Sequence, residues 1–71
     1  MAYFYINRNA QEDGYHEVHN DNNNCSHPPL TENRVRLGIY NTCSEAIAAA
    51  RKANPGLLID GCYYCTNCNT R

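Results

Sequence analysis

Large aliphatic side chains are what this sequence has least of. Only eleven of its 71 residues are Val, Ile, Leu or Phe. That is about 15%, below the ~20% of ordinary globular chains. There is no tryptophan and one methionine. Long apolar runs are missing too: stretches such as Ala46 to Ala50 fall far short of the ~20 residues of a spanning helix, which excludes a transmembrane protein of that kind. No charge of one sign dominates, since the net charge is −1, so charge-driven disorder does not explain the thin core. The length excludes a multi-domain enzyme and a Rossmann or barrel scaffold, and predicts one small domain over residues 1–71. A chain this short with so little to bury needs a staple.

Six tyrosines, seven alanines and five cysteines make up the remaining apolar content, and the cysteines are the candidate staple. Five is odd, whereas secreted disulfide frameworks use an even number. The opening Met1 to Arg8 lacks the basic and apolar regions of a secretory signal. A cytoplasmic protein is the expectation, in which clustered thiols bind metal or do redox chemistry.

Tyr3-Phe4-Tyr5-Ile6 and Tyr15-His16-Glu17-Val18-His19 have strand composition, and Asp13-Gly14 between them is a tight-turn signal, so a hairpin is predicted. Asn20 to Asn24 continues as a loop through Cys25-Ser26-His27-Pro28-Pro29, with His27 a loop residue. A third strand follows, with Val35, Leu37 and Ile39 on its buried face and Arg34, Arg36 and Tyr40 on the other. Gly38 marks a bulge or a close approach. Thr42-Cys43-Ser44-Glu45 is a capping box. Cys43, Ala46, Ile47, Ala50 and Ala53 form the apolar stripe of the helix behind it. Asn54-Pro55-Gly56 ends that helix, and Leu57-Leu58-Ile59 leads to Asp60-Gly61 and the last cysteines.

Two groups of ligand-type residues bracket the domain: His16-x2-His19-x5-Cys25 and Cys62-x2-Cys65-x2-Cys68. Zinc takes four thiolate or imidazole ligands in a tetrahedron, and a Cys-x-x-Cys turn supplies two of them. One histidine, Cys25 and two of the last three cysteines complete such a set. His16 shares a strand face with Val18. If Val18 is core, His19 is the histidine free to meet Cys25. Cys43 belongs to the helix stripe, as a small hydrophobe. Cys68 stands open between ligand, spare and reactive thiol.

Gly14-Tyr15-His16-Glu17-Val18-His19…Cys25, Glu32-Asn33-Arg34-Val35, Ser44-Glu45-Ala46-Ile47-Ala48-Ala49 and Gly61-Cys62-Tyr63-Tyr64-Cys65 follow one order. Over roughly residues 14–68 that order resembles the small zinc-binding module of Ada-type DNA-repair proteins. The resemblance implies an α+β fold, here a zinc-stabilised three-stranded, mostly antiparallel sheet packed by one main helix. It also implies one structural zinc ion held by His19, Cys25, Cys62 and Cys65. The sequence departs from that pattern in the five residues between His19 and Cys25, in the extra Asn54 to Ile59 run, and in Cys68, which competes for the site. At the first ligand position the Ada protein has the cysteine that accepts a methyl group. Here a histidine stands there, so that activity does not carry over.

No paired acid and base and no phosphate-cradling loop is present. Asp13, Glu45 and Asp60 have structural explanations. The functional expectation is a non-catalytic, monomeric zinc module serving as an interaction domain for a protein partner. The alternatives are nucleic-acid binding, through a basic face of Arg34, Arg36, Arg51 and Lys52 with Tyr40, Tyr63 and Tyr64, and thiol redox sensing by Cys62, Cys65 and Cys68. A pI near 6.2 counts against the first. Tyrosines beside cysteines more commonly cover a metal site or complete a small core.

Overall fold

The computed structural model describes residues 2–22, 25–26 and 28–70. The expectations for His27 and for Asn23 and Asn24 lie outside these residues. In chain order the elements are β1 (Ala2–Asn7), β2 (Tyr15–Asn20), a 3₁₀ turn (Thr31–Asn33), β3 (Arg34–Tyr40), α1 (Cys43–Ala53) and β4 (Leu58–Gly61). The hairpin forms as its composition predicts. Gly14 adopts φ +87°, Asp13 accepts the Tyr15 amide at 3.0 Å, and β1 and β2 pair antiparallel with Tyr5 opposite His19 and Ile6 opposite Val18.

The sheet has four strands, not three, in the order β3-β1-β2-β4. The fourth, β4, runs parallel to β2, with Ile59 beside His16 and Gly61 beside Val18. A parallel neighbour needs a long crossover, and α1 supplies it, carrying the chain from one edge of the sheet to the other. The capping box is complete: Glu45 donates its amide to Thr42 Oγ1 and accepts the Thr42 amide through its carboxylate, both at 3.2 Å. Cys43, Ala46, Ile47 and Ala50 of α1 are buried against Phe4, Ile6, Val18 and Ile59. Ala53, the expected last member of the stripe, is exposed because the helix ends there.

The buried face expected for β3 is corrected. Phe4 pairs with Gly38 but the next residue, Tyr5, pairs with Arg36, so Leu37 is the extra residue of a bulge, opened beside Gly38 at φ +126°. A bulge reverses alternation beyond it. Ile39 therefore falls opposite Tyr3 on the outer face, 60% exposed, and Tyr40 falls opposite Ala2 on the core side. Val35 stays opposite Ile6, half covered on the edge strand. The helix covers one face of the sheet. The other carries Tyr3, Tyr5 and His19, with the Arg36 and Arg34 guanidinium groups 5.0 and 4.9 Å from the ring centres of Tyr3 and Tyr5. Among the described residues no helix is long and apolar enough to cross a membrane.

Candidate metal centre

Alternation on β2 separates the two histidines. Val18 is fully buried under the helix, and His16, on the same face, meets the Asn7 carbonyl through Nδ1 at 3.0 Å. His19 takes the opposite face, where Tyr5 stacks on its ring at 5.1 Å and 14°. It is 1% exposed. The β4 ladder is extended by one bond from the Cys62 amide to the Val18 carbonyl, 2.8 Å, which sets Cys62 beside His19. The chain then turns tightly: the Thr66 amide donates to the Cys62 carbonyl at 3.1 Å and the Thr66 hydroxyl does so at 2.6 Å. That turn brings Cys65 back over the site. Cys25 enters from the loop after β2.

His19, Cys25, Cys62 and Cys65 meet with one ligand atom each inside a sphere of separations no larger than 4.8 Å, and could hold a metal ion. His19 Nδ1 lies 3.5 Å from Cys25 Sγ and 3.4 Å from Cys65 Sγ. The Cys25 and Cys62 sulfurs are 3.6 Å apart. Cys62 and Cys65 are buried and Cys25 half-buried, all three as free thiols. Burial pushes both the Cys62 and Cys65 thiols well up from their ordinary value. Burial, with Arg34 adding positive charge, brings His19 down to about 4. Neutral thiols at Cys62 and Cys65 and a neutral imidazole are thus the stable forms without a cation. His19 Nε2 is buried with no hydrogen-bond partner among the described residues, so Nδ1 is the nitrogen that faces the sulfurs.

Cys68, expected to compete for this site or stand spare, does neither. It is joined to Cys43 in a disulfide that spans 25 residues. Cys43 is buried in the helix stripe as predicted, and it is also a bonding partner, which the stripe alone does not reveal. Tyr63 and Tyr64 are not members of the core cluster. They pack edge to face at 5.4 Å and stand 73% and 57% exposed at the tip of the turn. The four cations expected on one face are split. Arg34 and Arg36 lie on β3, while Arg51 donates to the Ile59 carbonyl of β4 at 2.9 Å, across the sheet.

The residues that frame the cluster were not legible as such. Tyr5 was read as a strand former, yet it is the inner leaf of a stack running Arg34, Tyr5, His19. Asp60, read as a turn residue, is a fully buried anchor for the C-terminal segment, accepting the Thr70 amide at 3.1 Å and its hydroxyl at 3.2 Å. No protein-family model, curated protein or solved structure matches this chain.

Proposed function

We propose that this protein is a small zinc module in which His19 Nδ1 and the thiolates of Cys25, Cys62 and Cys65 hold one structural ion. The observation that carries the reading is the convergence of these four groups, drawn from three parts of the chain as much as 46 residues apart. Zinc bound to sulfur at about 2.3 Å and nitrogen at about 2.0 Å in a tetrahedron sets sulfur–sulfur edges near ~3.8 Å and nitrogen–sulfur edges near ~3.5 Å. Three of the six separations, 3.6 Å between the Cys25 and Cys62 sulfurs and 3.4 and 3.5 Å from His19 nitrogen to sulfur, match those edges, and all six lie within 4.8 Å. Three thiolates and an imidazole suit zinc rather than the harder oxygen-seeking cations.

Four protein ligands leave no position for substrate, which supports a stabilising role without catalysis. The ion supplies cross-linking between β2, its following loop and the turn after β4. The chain's own residues hold His19 in place through the Tyr5 stack and hold the turn closed through Thr66. The exposed Tyr63–Tyr64 pair on that turn supports an interaction role, since aromatic side chains are enriched where partners dock. Kinship with Ada-type modules belongs to the same proposal, and its support is the residue order alone.

The test is elemental analysis of the purified chain, followed by refolding with and without chelator. The reading expects one zinc per chain and loss of structure in chelator, with metal lost in His19→Ala and kept in His16→Ala. A metal-free protein that keeps its fold, or the reverse pattern of variants, rejects it.

A second reading has one observation in its favour. Arg36 lies over the half-buried Tyr3 on the face that the helix leaves open, a guanidinium on which an unpaired base could stack. Binding of a labelled single-stranded oligonucleotide that weakens steeply with salt supports it, and absence of binding at low salt removes it.

A further inference from the structure

Five cysteines divide into two sets that share no atom: three free thiols around His19, and the pair Cys43–Cys68. The second set joins the start of the helix to a segment that the structure straps across β4. Residues 66–70 are also fixed by hydrogen bonds that do not involve the sulfurs. Thr66 donates to Cys62, Asn69 donates through Nδ2 to the Gly61 carbonyl at 2.8 Å, and the Thr70 amide and hydroxyl both donate to Asp60. Gly61 makes the close approach possible, because a Cβ there would run into Cys68 Sγ and into Thr66 Oγ1 at 2.6 Å. The strap is thus held against β4 whether or not the sulfurs are bonded, and that keeps Cys68 beside Cys43.

We propose that Cys43 and Cys68 form a reversible dithiol–disulfide centre, distinct from the metal cluster, whose exchange partners are small thiols and disulfides. Three features point there. The two thiols are presented to each other by separate elements, with Cα atoms 5.9 Å apart, inside the range for a bridge. Cys68 is half-buried and lines a cleft of about 170 Å³ with Ser44, Ile47, Ala48, Arg51, Asp60 and Thr70, which opens its side chain to approach from solvent. Cys43 is buried and is the first residue of α1, where the positive end of the helix stabilises a departing thiolate. Attack is therefore directed to Cys68 and Cys43 leaves.

Closing runs in two displacements. The Cys68 thiolate attacks a small disulfide, whose sulfur–sulfur bond breaks and releases one small thiolate. The Cys43 thiolate then displaces the second small thiolate from the mixed disulfide on Cys68. Both protein thiols give up their protons, two electrons pass to the small disulfide, and two small thiols are formed. Opening is the same sequence reversed.

The full chain, carrying whatever metal it is purified with, is equilibrated with oxidised and reduced glutathione over a range of ratios. It is then quenched in acid, alkylated and mapped by mass spectrometry, and strap amide exchange is followed on the same samples. The centre predicts that Cys43 and Cys68 lose their alkylation together across one transition that reverses on adding reduced glutathione. Cys25, Cys62 and Cys65 do not take part in it, and amide exchange in residues 66–70 rises about tenfold on opening. Cys68→Ser is expected to abolish the transition, with the far-ultraviolet spectrum retained. Cys43→Ala is a second variant with the same expectation. Two freely alkylated thiols at every ratio, a bridge that no thiol opens, or pairing of either cysteine with Cys25, Cys62 or Cys65 overturns the proposal. Because the readout is the pairing of sulfurs, it can succeed or fail regardless of whether zinc is found.

Discussion

At the scale of single residues, His19 carries the account. Its position follows from one-residue alternation on β2, which sends Val18 to the helix and His19 to the sulfurs. Titration adds a second consequence. Without a cation the buried His19 is held to about 4, below the ordinary value near ~6.5. The unfolded chain then binds the proton more readily. His19 therefore stabilises the metal-free fold fully above about 6.5, and that contribution is lost as pH falls toward about 4. Cys62 and Cys65, raised by burial, act at the other end. Their contribution is whole below the ordinary thiol value near ~8.5 and is lost as pH rises through the higher folded values. Residual structure of the chelator-treated protein, followed by circular dichroism against pH, should be greatest between these limits, and a monotonic profile contradicts it. Binding zinc requires thiolates, so uptake at neutral pH should release at least the protons of Cys62 and Cys65. Calorimetry in buffers of different ionisation enthalpy measures that release, and none detected would mean the thiols are not ligands.

At the scale of elements, helix α1 and strand β4 teach opposite lessons. The capping box of α1 was legible because its chemistry is local: Thr42 and Glu45 are three residues apart and satisfy each other. Thr42→Ala should cost about 1 kcal/mol, which in a domain of this size lowers Tm by roughly 4–8 °C. An unchanged Tm would show that the cap is redundant. Strand β4 shows in the sequence only as an apolar run. Its four residues are too few for a period, and its pairing with β2 is parallel and reached only through the α1 crossover. The β3 face was misread for a related reason. A bulge at Leu37 reverses the alternation, and Gly38 signals that something bends without saying which face changes. Gly61→Ala should be poorly tolerated, since the strap has no room for a Cβ. A destabilisation well beyond the ~0.5 kcal/mol of an ordinary surface substitution is expected, read as a fall in Tm, and a neutral outcome would show that the strap can lift.

At the scale of the whole molecule, the shortage of aliphatic side chains is met by one disulfide and, on the proposed reading, by a metal cross-link. The core is one small cluster around Phe4, Val18, Ile47 and Ile59. Stabilities of about 0.05–0.15 kcal/mol per residue leave a chain of this length only a few kcal/mol to lose. The Cys43–Cys68 bridge closes 25 residues and contributes roughly 3 kcal/mol by restricting the unfolded chain. The four-residue cluster ties the β2 end of the hairpin to the turn after β4 on the face the helix does not reach. The spacing of His and Cys along the chain narrows that cluster to one histidine, Cys25 and two of the last three cysteines, and the choice of Cys62 and Cys65 comes only with the resemblance. The assignment of Cys68 is not legible there, because only the folded strap shows that Asp60 and Gly61 bring it to the helix rather than to the metal site. The most direct measurement is zinc K-edge X-ray absorption on the purified chain. The account predicts a shell of three sulfurs at about 2.3 Å and one nitrogen at about 2.0 Å. A shell of four sulfurs, or one made mainly of oxygen and nitrogen, would contradict it.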